Sequence, residues 1–141
     1  MSTLERAIEI AAEAHAGQVD KAGAPFILHP LRVMLRVNDE EARKAAVLHD
    51  VVEDSEWTLD GLRAEGFSEV VVLAVDGLTR RDGEAYFDFC RRAGRNEIAR
   101  IVKLADLEDN LDPERVAALP EANPSLQKRY RKARAILVER S

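Results

Sequence analysis

His49 and Asp50 stand side by side in the stretch AVLHDVVED, Ala46 to Asp54, and Glu53 and Asp54 follow one helical turn later. On a helix His49 and Glu53 are four residues apart, as are Asp50 and Asp54, so the four side chains form two adjacent columns. Val47, Leu48, Val51 and Val52 crowd between them too densely for a clean solvated stripe. Something must therefore offset the desolvation of the polar groups. A divalent ion would do so, the first pair holding it and the second facing its water. Neutral imidazole together with carboxylate suits Mn²⁺, Fe²⁺ or Zn²⁺ better than Ca²⁺ or Mg²⁺, which favour all-oxygen shells. Acids at a helix C-terminus also oppose the macrodipole, which makes a purely structural role for Glu53 and Asp54 less attractive.

Two ligands do not complete a site. The chain holds three histidines, and His29 is pinned near a helix start by Pro30, which makes it the next candidate. A further acid is needed, and IVKLADLEDN offers Asp106, flanked by Val102, Leu104, Ala105 and Leu107, with Asn110 on the same face at i,i+4. Taken singly, His29 reads as a hydrogen-bonded histidine at a helix start and Asp106 as a buried acid paired with Lys103. Taken in order, the set favours a metal centre. His15 reads as a structural or supporting histidine, Trp57, Tyr86, Phe87 and Phe89 as core, and Cys90 as an apolar packing residue.

The elements that must position these residues are helices, because Ala, Leu, Glu and Arg dominate and β-branched residues fall in short runs rather than alternating. Ser2 or Thr3 caps a first helix reaching His15, which Gly17 ends. DKAGAP is a turn, and His29 is expected at the N-cap of a helix running to about Val37. Asn38 or Asp39 caps the next, about 40–52, which carries the opening motif. TLDGLRAEGF forms a short helix, and 70–78 reads as a buried helix despite its valines, since a lone strand would lack a partner. Further helices are predicted at about 83–93, 97–110, 113–119 and 124–140. The fold class is all-α, a compact multi-helix bundle.

A chain of 141 residues fits one domain, 1–141, which buries about 68–70% of its unfolded surface without staples. One cysteine permits no internal disulfide, and no secretory segment follows Met1, so a cytoplasmic setting is expected. The longest apolar runs, such as VVVLAV, fall far short of the ~20 residues of a membrane span. A net charge of −5 argues against nucleic acid as a partner; the locally basic QKRYRKAR reads as the solvated face of a last helix.

The motifs HP, LHDVVED and KLADLEDN resemble the HD superfamily of metal-dependent phosphohydrolases, whose ligands follow an H…HD…D order. AHAGQVDKAGAPFILHPLRV, AAVLHDVVEDSEWTLDGL, VDGLTR and IVKLADLEDNL further resemble the hydrolase domain of the RelA/SpoT family and its small alarmone hydrolases, over about 14–111. The resemblance implies a compact HD-domain bundle. It implies metal binding, most often of Mn²⁺, by His29, His49, Asp50 and Asp106, with Glu53 and Asp54 acting on the attacking water and the leaving oxygen. It implies that Lys21 and Asn110 meet the substrate, and that the reaction removes the 3′-pyrophosphate of guanosine tetraphosphate or pentaphosphate, (p)ppGpp.

Three acids depart from the family pattern. Asp20 stands where an Arg usually precedes the Lys, and Leu107-Glu108-Asp109 stand where the family has Arg-Leu-His. One charge ~6 Å from a phosphate at an effective dielectric of ~20 is worth roughly 2–3 kcal/mol, so an inward-facing Asp20 is expected to weaken a polyanion. These acids motivate a second reading, an HD-type nucleotidase or phosphodiesterase on another nucleotide. A third reading is a metal-containing, nucleotide-sensing module without catalysis, against which Glu53 and Asp54 argue.

Overall fold

The computed structural model describes residues 1–119 and 123–139. Helices follow one another along the chain: α1 (Leu4–Ala14), α2 (Leu28–Leu35), α3 (Glu40–Leu48), α4 (Val51–Asp54), α5 (Leu59–Ala64), α6 (Glu69–Gly77), α7 (Tyr86–Ala93), α8 (Glu97–Asn110), α9 (Pro113–Ala117) and α10 (Pro124–Glu139). Among the described residues the only β feature is a single bridge between Val19 and Pro25, so the architecture is an all-α bundle. No helix among them is long and apolar enough to cross a membrane. The predicted end of the last helix at Arg140 lies outside the described residues.

Side-chain caps explain where most helices begin. Thr3, Asp39, Thr58, Ser68 and Asn96 each accept a hydrogen bond from the backbone amide three residues on, satisfying one of the amides that a helix start leaves without a partner. Gly17, at φ +80, lets the chain turn away after α1.

Two boundaries at the site differ from the sequence expectation. His29 is not an N-cap but the second residue of α2. The turn begins earlier, with Leu28 N donating to the Pro25 carbonyl at 3.2 Å and His29 N to that of Phe26 at 2.9 Å. Pro30 then falls in the first turn, where a missing amide loses no helical hydrogen bond. The predicted helix 40–52 is also interrupted. The α-helix stops at Leu48, His49 Nδ1 reaches the Ala46 carbonyl at 2.5 Å, and Asp50 (φ −102, ψ −1) starts the short α4. A side chain that takes a main-chain carbonyl competes with the helical ladder, and here it lets two successive residues aim at one place. α7 likewise begins at Tyr86 rather than 83, because 79–84 form a turn held by Arg92. That guanidinium binds Glu84 Oε2 at 2.9 Å and the carbonyls of Asp76 and Thr79 at 3.0 and 2.7 Å.

α3 is the central helix and packs against α1, α2, α6 and α8. Ala42, Ala45, Ala46, Val47 and Leu48 are buried there against Ile10, Val33, Val72, Val75 and Val102. The small alanines let neighbouring helices approach closely. Burying a side chain such as Leu48 is worth roughly 1.5–3 kcal/mol. A smaller cluster of Cys90, Leu107, Ala133 and Leu137 seats α10 on α7 and α8. Together these contacts fix α2, the α3–α4 break and α8 around one cavity.

Candidate metal centre and active site

The break after α3 presents His49 and Asp50, the first turn of α2 presents His29, and the third turn of α8 presents Asp106. Ligand atoms of His29, His49 and Asp50 all lie within 4.8 Å of one another. Asp106 Oδ1 is 2.8 Å from His29 Nε2 and 3.5 Å from His49 Nε2. Three separate segments thus meet, with His29, His49 and Asp106 each at most 5% exposed.

The protons decide what this cluster fits. His49 Nδ1 faces the Ala46 carbonyl and must donate, so in a neutral ring Nε2 offers a lone pair. That Nε2 is 3.0 Å from Asp50 Oδ2, yet it is buried and makes no well-formed hydrogen bond. A lone pair and two carboxylates facing one another require a positive centre between them. Burial alone would lower the pKa of His49, but the Asp50 charge and Asp106 outweigh burial and raise it well above the ordinary value, so the site favours positive charge at this nitrogen. A divalent cation would supply that charge, and the mixed imidazole and carboxylate set suits Mn²⁺, Fe²⁺ or Zn²⁺.

Asp106 is held as an anion. Burial would raise its pKa, but Lys103, His29 and His49 overcome burial and bring it well below the carboxylate range. Lys103 Nζ lies 2.8 Å from Asp106 Oδ2 and stands over the rings of Phe89 and Tyr86 at 5.0 and 5.6 Å. One oxygen of Asp106 faces the two histidines and the other faces Lys103, so pairing with Lys103 leaves Oδ1 directed at the cluster.

Glu53 and Asp54 behave oppositely. Desolvation first, then the neighbouring Asp50, raise both carboxyls above their usual range, and Asp54 adds to the rise at Glu53. Glu53 Oε1 accepts a hydrogen bond from the backbone amide of Arg80, which fixes its direction. Glu53 lines the cavity and Asp54 does not. The Asp54 carbonyl is tied back to α1 through Gln18 Nε2 at 3.3 Å. Gln18 also engages His15 Nδ1 at 2.9 Å, so His15 braces this corner.

The cavity encloses about 710 Å³. Lys21 lies on its rim, exposed in the loop after α1, and Asn110 lines it with Nδ2 3.5 Å from Asp106 Oδ1 and Oδ1 accepting from Arg115 at 3.0 Å. Arg129 of α10 stacks its guanidinium 3.9 Å from the Tyr86 ring centre and lines the same wall. Tyr86 and Phe89, read from sequence as core, also face this space.

The three departing acids are each occupied. Asp20 Oδ1 accepts from the Ala22 and Ala24 amides at 2.9 and 3.0 Å, and Oδ2 lies 3.5 Å from Arg115. Glu108 reaches Arg134 at the surface, 3.3 Å away. Asp109 turns inward to His29, Arg32 and Arg115. Sequence reasoning passed over Arg115 and the inward role of Asp109. Asp109 is three residues after Asp106 on α8, a spacing that shares a face, and this was the available signal.

The HD domain family matches residues 7–110. The chain belongs to the HD domain family. Its relatives include a GTP pyrophosphokinase of Streptomyces coelicolor, 43% identical over 56% of this chain and 10% of that protein. They also include a guanosine-3′,5′-bis(diphosphate) 3′-pyrophosphohydrolase of Aquifex aeolicus, 33% identical over 77% of this chain and 17% of that protein. The chain therefore spans less than a fifth of either relative. A solved structure described as a metazoan ortholog of SpoT that hydrolyzes ppGpp and plays a role in starvation responses aligns over 99% of this chain and 85% of that one, with TM-score 0.77 and 23% identity. At that identity the likeness shows a shared HD-domain fold.

Proposed function

We propose that this chain is a divalent-metal-dependent phosphohydrolase that removes the 3′-pyrophosphate of guanosine tetraphosphate or pentaphosphate. The observation that carries this reading is the convergence of His29, His49, Asp50 and Asp106 at one side of a cavity that Glu53 also lines. The names of the Aquifex relative and of the metazoan structure support the choice of substrate. Cys90, buried and free, suits the reducing cytoplasm in which the proposal places the reaction.

A divalent cation held by those four residues, Mn²⁺ in this proposal with Fe²⁺ or Zn²⁺ as alternatives, would supply Lewis acidity toward a phosphoryl oxygen and acidify a water. Glu53, directed by the Arg80 amide, orients the attacking water and takes its proton. A carboxyl with a raised pKa holds that proton more readily than an ordinary one, and it passes to the departing ribose 3′ oxygen, which closes the proton count. Asp54 acts from outside the lining, its charge adding to the basicity of Glu53. Lys21 and Arg129 meet the phosphates, and Asn110 meets the substrate beside Asp106. Lys103 keeps Asp106 ionised.

Incubating manganese-loaded protein with guanosine tetraphosphate is expected to release GDP and pyrophosphate. Failure there, together with turnover of another nucleotide ester, would move the assignment to the second reading. One observation favours that alternative: Asp112 and Glu114 line the cavity alongside Asp20, which suits a less charged phosphoester.

A further inference from the structure

Asp109 is fully buried and lies outside the proposed ligand set. Its Oδ2 is 2.6 Å from His29 Nδ1 and 2.8 Å from Arg115 Nη1, and its Oδ1 accepts from Arg32 Nε at 2.8 Å. Arg36 Nη2 stands 3.8 Å away. Two guanidinium groups donating to its two oxygens from 2.8 Å leave this carboxyl as a carboxylate, which can only accept hydrogen bonds. Facing it, Nδ1 of His29 has to carry a proton. In the neutral ring this leaves Nε2 with a lone pair, directed toward Asp106 Oδ1 and the group formed with His49 and Asp50. A carboxylate behind an imidazole in this way fixes the tautomer and increases the basicity of a metal-binding nitrogen.

We propose that Asp109 is a positioning residue that locks His29 in the Nδ1–H tautomer and aims Nε2 at the cation site, with Arg32 and Arg115 clamping the carboxylate from α2 and α9. This rests on the reading of His29, His49, Asp50 and Asp106 as a metal centre. It gives a role to an acid that replaces an imidazole in the family pattern and that would otherwise count only as charge repelling a substrate. A salt bridge of purely structural purpose would affect stability and leave the tautomer and ion affinity alone.

The test is titration of the metal-free protein with Mn²⁺, following free ion by electron paramagnetic resonance, for wild type and Asp109→Asn. The substitution keeps the shape but removes the charge, and affinity is expected to fall about 10–100-fold. Wild type that binds Mn²⁺ saturably, with a folded Asp109→Asn variant within twofold of it, overturns the inference and leaves the metal centre standing. Wild type that shows no saturable Mn²⁺ binding removes the metal centre and the inference with it. A second measurement covers a variant that does not fold: long-range proton–nitrogen correlation spectra of the Zn²⁺-loaded wild type. A proton on Nδ1 and none on Nε2 of His29 is the expected signature, and a proton on Nε2 overturns the proposal.

Discussion

Two pairs of acids, on α8 and α4, show how differently one chain can use the same side chain. Asp106 and Asp109 are at most 5% exposed, and burial alone should keep them protonated. Both nevertheless ionise more readily than usual, because Lys103 and two imidazoles surround one, and His29, Arg32 and Arg115 surround the other. Glu53 and Asp54 are more exposed yet hold their protons more tightly than usual, because desolvation and then the Asp50 charge outweigh the Arg80 amide at Glu53 and the His15 and His49 charges at Asp54. Where cationic partners crowd a buried acid they reverse the effect of burial; where they do not, burial prevails. The α8 acids are built as permanent anions, suited to holding cations, and the α4 acids as groups whose proton can move.

The contrast breaks most visibly at Asp106. Asp106→Ala leaves Lys103 buried without its partner, which is expected to cost about 3–5 kcal/mol of stability and to abolish saturable Mn²⁺ binding. Thermal melts and ion titration measure both, and a variant that keeps wild-type affinity would deny Asp106 its place. Glu53→Gln should leave ion affinity unchanged while lowering kcat about 10²–10⁴-fold; a loss of affinity of similar size would put Glu53 with the α8 acids instead. Because the Glu53 pKa of the metal-free protein is raised above its ordinary 4.5, the midpoint of its carboxyl titration without metal, followed by carbon-13 chemical shifts, should lie above 4.5. A midpoint at or below that value would contradict the raised pKa.

Smaller effects sharpen the comparison. Asp109 falls from an ordinary 3.8 to about 2 on folding, so its contribution to stability is present above pH 4 and is lost as pH falls toward 2. That linkage amounts to about 2 kcal/mol. Urea midpoints should decline across this window in wild type and decline less in Asp109→Asn. Glu108→Gln, which breaks only the surface contact with Arg134, should change stability by less than about 0.5 kcal/mol, a difference that denaturant titration can bound.

Local signals made most of the helices legible, since Thr3, Asp39 and Asn96 are caps that act within three residues. The departures arose where a distant contact overrode a local preference. Pro30 disfavours a helical His29, but a turn already begun at Pro25 carries the chain through it. The α3–α4 interruption depends on the His49 ring reaching the Ala46 carbonyl, which side-chain periodicity does not encode. At the site, residue type and order brought His29, His49, Asp50, Glu53 and Asp106 to notice. The contacts of Asp109 and Asp20 were not legible, because the partner of Asp109, His29, is 80 residues away and Asp20 turns its oxygens to the amides of its own loop and to Arg115.

The hydrogen bond that directs Glu53 comes from the main chain of residue 80, and the same residue is part of the cavity wall. Any amino acid except proline supplies the same amide. Under the proposed mechanism, substitutions at this position would alter the cavity wall while leaving Glu53 in register, so that selectivity and chemistry could evolve independently across a single residue.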